Sequence, residues 1–214
     1  LCMDGDDPRR WVRPGRVLIV VLPPLLPGAP LHAMPQLNGL LVARVKAYAR
    51  TLAPPAATID VRHPVYEQIQ VRCTVQLKPG LAGGRYIARL NDDLARFLSP
   101  WDRGNGRVHF GWGLREHDVE SFIIGLDYIA DVSACSLLRV APAADGGYTL
   151  TDTALHGVKQ VSWKYPWSVA VAIDKHLIEV SDKKGHAQTA NLHTLDIGST
   201  FIISPEANDG TAKS

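Results

Sequence analysis

The strictest alternation in the chain runs from Ile69 to Lys78. Ile69, Val71, Cys73, Val75 and Leu77 alternate with Gln70, Arg72, Thr74, Gln76 and Lys78. A period of two puts these sets on opposite faces, which predicts a strand with one face on a core and one toward solvent. Lys78-Pro79-Gly80 then turns the chain. After Gly83-Gly84 the period becomes helical: Tyr86, Leu90, Leu94 and Phe97 make one stripe, with Ile87 and Leu98 beside it. Asn91, Asp92, Asp93 and Arg96 lie outside that stripe, and Ser99-Pro100 ends the helix.

Upstream the same order occurs once before. The run RVLIVVL at 16–22 is continuously apolar and predicts a strand buried on both faces. Pro23-Pro24, Pro27-Gly28 and Pro30 predict a loop of polyproline character. Pro35 suits the first turn of a helix, and Leu37, Leu41, Val45, Tyr48 and Leu52 recur at helical spacing before Pro54-Pro55 stops it. A short strand over 57–62 is interrupted by His63-Pro64. Two strand–helix units of this kind predict an α+β fold, a two-layer sandwich with two amphipathic helices on a small mixed sheet.

Beyond Trp101 the pattern weakens. Residues 101–113 (WDRGNGRVHFGWG) form a Gly-rich connector. Residues 116–124 predict a short helix with Val119, Phe122 and Ile123 inward and Gly125 as its stop. The apolar stretch 126–140 ends as a strand, SLLRV. After the turn at 142–147, the runs VKQVSW, SVAVAI and HLIEV predict short strands. The expected organisation is an arriving or linking segment at 1–15, an α+β domain at 16–141, a small β-rich appendage at 148–204 and a frayed tail at 205–214.

Composition narrows the function classes. With 46% hydrophobic and 21% charged residues among 214, the chain can bury an ordinary globular core. A net charge of +2, from 23 basic and 21 acidic side chains, gives no basis for a nucleic acid or an anionic membrane as partner. No apolar run reaches the roughly 20 residues of a membrane span. Cys2, Cys73 and Cys135 are odd in number and form neither a CxxC pair nor a disulfide framework, which points to a reducing compartment. The start at Leu1, with no leader-like order after it, reads as a cut in a longer protein.

Chemistry-bearing constellations are missing from the sequence. The eight histidines include no HxH or HExxH, so no metal site is expected. Asp92 and Asp93, adjacent on a helix, point about 100° apart and cannot work as an acid–base pair. There is no G-x-S-x-G or S-x-x-K, and Cys73 lies on the apolar side of its strand as a core thiol. Gly104, Gly106, Gly111 and Gly113 could cradle an anionic ligand, or simply form a turn that lets Trp101 and Trp112 pack; the Leu114-Arg115 that follows is not a phosphate-loop sequence. An enzyme or binding module using connector 104–113, and a glycan- or small-molecule-binding appendage after Tyr148, stay as alternatives. Tyr66, Trp101, Phe110, Trp112, Trp163, Tyr165 and Trp167 fall in loops or at element ends, where aromatics serve protein interfaces or plug a small core.

Three stretches carry a family resemblance: HPVYEQIQVRCTVQLKPG, YIARLNDDLARFLSPW and VHFGWGLREHDVESFIIGLDYIADVSACSLLRV. Together they resemble the C-terminal region of baseplate J-like proteins, wedge subunits of contractile injection systems such as contractile phage tails and phage-tail-like particles. PGRVLIVVLPP and the helix after it resemble what precedes that region in the family, so the likeness spans about residues 13–140. Residues matching the pattern are Pro64, Tyr66, Phe97, Pro100, Trp101, Phe110, Gly111, Asp127 and Tyr128. The resemblance implies a structural, non-enzymatic subunit without cofactor, metal or small-molecule substrate. It would assemble in the cytoplasm with copies of itself and other wedge subunits, in a ring around the spike and tube. Pro64, Tyr66, Trp101, Phe110, Trp112, Trp163 and Trp167 are then the expected contact residues.

Overall fold

The structure is a computed structural model and describes residues 15–102, 110, 113–143, 146–181 and 187–188. Its centre is β3 (Val65–Leu77), which pairs antiparallel with β5 (Ile129–Pro142) along nearly its whole length. Ile69, Val71 and Val75 are fully buried, as their alternation predicts. β5 is longer than expected, because it begins at Ile129 rather than near Ser136. Two register shifts, at Thr74/Val75 and Gln76/Leu77, mark bulges toward its start.

Helix α2 (Gly83–Phe97) covers this face of the sheet with Leu90, Leu94 and Phe97. Helix α3 (Glu116–Ile124) adds Val119 and Ile123, and Phe122 stacks on Phe97 with centroids 4.3 Å apart. Tyr128 closes the core at one end; its hydroxyl donates to Asp93 Oδ2 at 2.7 Å and its ring packs tilted against Tyr86 with centroids 5.2 Å apart. Fold class and both helices therefore agree with the sequence pattern, and the chain is α+β.

Residues 148–181 do not build a sheet of their own. β6 (Tyr148–Asp152) pairs with β5, while β8 (Ser168–Ala172) and β9 (Leu177–Ser181) both run parallel to β3. β10 (Ala187–Gln188) continues this sheet beyond β9. The expected separate appendage is thus replaced by strands of the central sheet. The physical reason is that β3 has two edges, and β5 fills only one. β8 takes residues 65–69 of the other edge and β9 takes 72–75. Between them Ile173 N donates to Ile69 O, and the Val71 N–H donates to Nδ1 of His176 at 3.1 Å. A side chain thereby completes the ladder where the backbone leaves it.

The buried Glu67–Arg139 pair secures this closure. Arg139 lies 3.0 Å from Glu67 Oε2 and also donates to Ser162 O and to Thr151 of β6. The other Glu67 oxygen accepts from Lys164 N at 2.9 Å. One ion pair so joins β3, β5, β6 and the segment entering β8. The short strands β4 (Leu114–Arg115) and β7 (Gln160–Val161) form a second tie. Gly113 permits it: a Cβ there would stand 2.6 Å from Gln160 Nε2 and 3.4 Å from Val161 O. A single turn of helix, α4 (Thr153–His156), sits between β6 and β7, and Thr153 Oγ1 accepts from Leu137 N at 2.8 Å.

The first strand–helix unit stands apart from this sheet. β1 (Arg16–Val20) pairs in parallel with β2 (Thr58–Arg62), with α1 (Gly39–Leu52) as the crossover. The expected burial of β1 on both faces is not met: none of its residues is buried, because β2 is its sole partner among the described residues. Helix α1 starts at Gly39 rather than Pro35. Asn38 caps it by accepting from Leu41 N at 2.7 Å, a role for which its short amide is well suited.

Candidate interaction surface

Two of the expected contact residues meet each other. Tyr66 leaves β3 on the face opposite Ile69, and its ring lies 6.3 Å from that of Trp101, just past α2. The Tyr66 hydroxyl donates to Pro35 O at 2.6 Å, and Trp101 Nε1 donates to Pro23 O at 2.8 Å. Together the pair clamps both ends of the Pro-rich loop onto the main sheet. Burial pushes the Tyr66 phenol up to about 12, so it stays a donor. Sequence spacing, 35 positions apart, gave no sign of this meeting.

The remaining expected contact residues divide. Pro64 is buried, and so is Trp167, which stacks on Tyr165 with centroids 5.2 Å apart and carries Arg62 over its ring at 5.6 Å. Trp163 is half-buried against the core. Phe110 is exposed. Trp112 and most of connector 104–113 lie outside the described residues. Of the seven expected contact residues, Pro64, Tyr66 and Trp167 are thus buried within the chain. The chain itself covers them, because strands β2, β3 and β8 converge where they sit.

The surface that sequence reasoning missed is on α1. The stripe Leu37, Leu41, Val45, Tyr48 and Leu52 was expected to form the covered face of the helix, and of its helical members only Val45 is half-buried. Instead Leu40, Tyr48 and Leu52 are 72%, 69% and 72% exposed, and no residue of α1 is buried. The helix leans on β2 with Val42, Val45, Lys46 and Ala49, all half-buried. Val17 on β1 is exposed as well. This lobe carries apolar residues on both sides of its helix and covers only one. Parallel strands are ordinarily covered on both faces, so a two-stranded parallel sheet with one helix is an incomplete layer. The signal was present in the sequence as apolar residues on both sides of Val45, with Val42 and Ala49 on the covered side and Leu41, Tyr48 and Leu52 on the other.

Titratable groups outside this surface are held in structural roles. Asp60 lies below the usual carboxylate range because it accepts from Arg62 at 2.7 Å. Burial pushes His176 down to about 4. Among the described residues, no group of three or more His, Cys, Asp or Glu side chains could hold a metal ion, and no helix is long and apolar enough to cross a membrane.

Neither a protein-family model nor a curated protein matches the sequence. Among solved structures, the chain is similar to one in the 6-fold symmetrised cryo-electron-microscopy structure of the anti-feeding prophage (AFP) baseplate. The two share 16% identity at a TM-score of 0.50, over 75% of this chain and 30% of that one. The present chain thus spans under a third of that neighbour's length, and what the two share is a fold.

Proposed function

We propose that the chain is a structural region of a baseplate J-like wedge subunit in a contractile injection system. It works by protein–protein contact, with other copies and other wedge subunits, in a ring around the spike and tube of the particle. The observation that carries this reading is the fold shared over three quarters of the chain with a chain of a tail-like baseplate. Two further features support it. The stretches with J-like resemblance coincide with β3, α2, α3 and β5, the elements that build the core. The β1–α1–β2 lobe presents Val17, Leu40, Tyr48 and Leu52 to solvent, a surface suited to a protein partner. Assembly would take place in the cytoplasm and the product would be a phage-tail-like particle.

The test is retention of baseplate proteins from the same particle by the immobilised chain, alongside light scattering of the chain alone. The wild type is expected to retain a wedge protein or to self-associate. Tyr48→Glu with Leu52→Asp is expected to weaken this at least about tenfold, or about 1.4 kcal/mol, while leaving the thermal midpoint unchanged. A chain that stays monomeric at high concentration and retains no baseplate protein would refute the proposal.

A further inference from the structure

Cys73 and Cys135 stand directly opposite each other in the β3–β5 ladder. Facing residues of an antiparallel pair have Cα atoms about 4.5–5.5 Å apart, within the roughly 4.4–6.8 Å that a disulfide accommodates. Paired residues also share a face. Cys73 belongs to the buried cluster under α2 and α3, and Cys135 packs against that cluster from a half-buried position. Both are free thiols. Both line an open cavity of about 490 Å³, shared with Arg72, Glu116, Lys159 and Glu179, which gives a small reagent access. One step along, the register passes from Thr74↔Ala134 to Val75↔Val132, leaving Ser133 as an extra residue. That bulge lets the strands adjust beside the pair.

We propose that Cys73 and Cys135 are a disulfide-forming pair, oxidised by a small-molecule disulfide of the glutathione type, that locks β3 to β5. The Cys135 thiolate, being less buried, attacks one sulfur of glutathione disulfide. The oxidant's S–S bond breaks and one glutathione leaves. The Cys73 thiolate then attacks Cys135 Sγ, forming the protein disulfide and releasing the second glutathione. Two cysteine thiols lose two protons and two electrons, and one glutathione disulfide becomes two glutathione thiols. Burial holds Cys73 up at about 12 and raises Cys135 too, with Cys73 itself and then Glu120 and Glu116 adding to the latter; Glu179 adds to Cys73, while Arg72 and Lys159 face the same cavity. The pair is therefore slow to react at neutral pH, and its oxidation accelerates as pH rises. The device suits a protein that matures in a reducing compartment and later meets an oxidising one.

The whole native chain is treated with glutathione disulfide, quenched with an alkylating reagent and mapped as peptides without reduction. The expected product links the Cys73 and Cys135 peptides, with two hydrogens lost, and shows a higher urea midpoint that reverts on reduction. Cys73→Ser is expected to keep a glutathione adduct on Cys135. The proposal is overturned if both thiols remain alkylatable in the native chain, if Cys2 takes the place of either partner, or if the link forms only in urea.

Discussion

Acidification should destabilise the fold through one side chain, His176. Its Nδ1 accepts the Val71 N–H at 3.1 Å, its backbone N–H donates to Asn91 Oδ1 at 2.8 Å, and its Nε2 is buried with no hydrogen-bond partner among the described residues. The ring is therefore neutral, with its proton on Nε2. Charging it would place a second proton against the Val71 N–H and a cation in the core. Burial accordingly lowers its pKa from 6.5 to about 4. Because the folded value lies below the unfolded one, the unfolded chain binds more protons in between. Stability from this group is complete above 6.5 and is lost as pH falls toward 4. At about 1.4 kcal/mol per pH unit, the loss is roughly 3 kcal/mol over the whole window and about 2 kcal/mol by pH 5. Urea unfolding at about pH 7.5 and pH 5 reads this directly. His176→Asn offers Val71 an uncharged acceptor, so its own pH dependence should be flatter than the wild type's by about 2 kcal/mol. Carboxylates titrate equally in both proteins and cancel in the comparison. Equal slopes for the two proteins, or a His176 pKa above 6 by NMR, would refute the argument.

Three other outcomes follow from the packing. Glu67→Ala leaves the largely buried Arg139 without its counter-ion and should cost about 3 kcal/mol by urea unfolding; the joint replacement Glu67→Leu with Arg139→Met should cost less than those two single changes summed. Tyr66→Phe removes the hydrogen bond to Pro35 O, at about 1 kcal/mol; limited proteolysis should then cut between residues 23 and 35 faster, and unchanged cutting would deny the clamp. Phe97→Ala empties the contact between α2 and α3 and should cost about 3–5 kcal/mol in thermal or urea unfolding, whereas Leu52→Ala on exposed α1 should stay within about 0.5 kcal/mol.

The sequence by itself determined the elements whose periodicity is strong. β3, α2 and α3 lie where alternation and helical spacing put them, because one fully buried face imposes an unbroken pattern on each. The resemblance to a baseplate protein was also legible, since it is a property of residue strings, and a chain of a solved baseplate shares the fold. Three things belonged to the tertiary structure. Periodicity says which residues of α1 share a face but not whether anything covers it, so Leu41, Tyr48 and Leu52 read as core and stand at the surface. Parallel pairing of β8 and β9 with β3 joins residues about 100 positions apart, and no local signal records it. The meetings of Glu67 with Arg139 and of Cys73 with Cys135 depend on the β3–β5 register, and that of Tyr66 with Trp101 on where α2 delivers the chain after Phe97. A strand's own residues determine its faces, but its neighbours are decided by which edges remain open once the rest of the chain has folded.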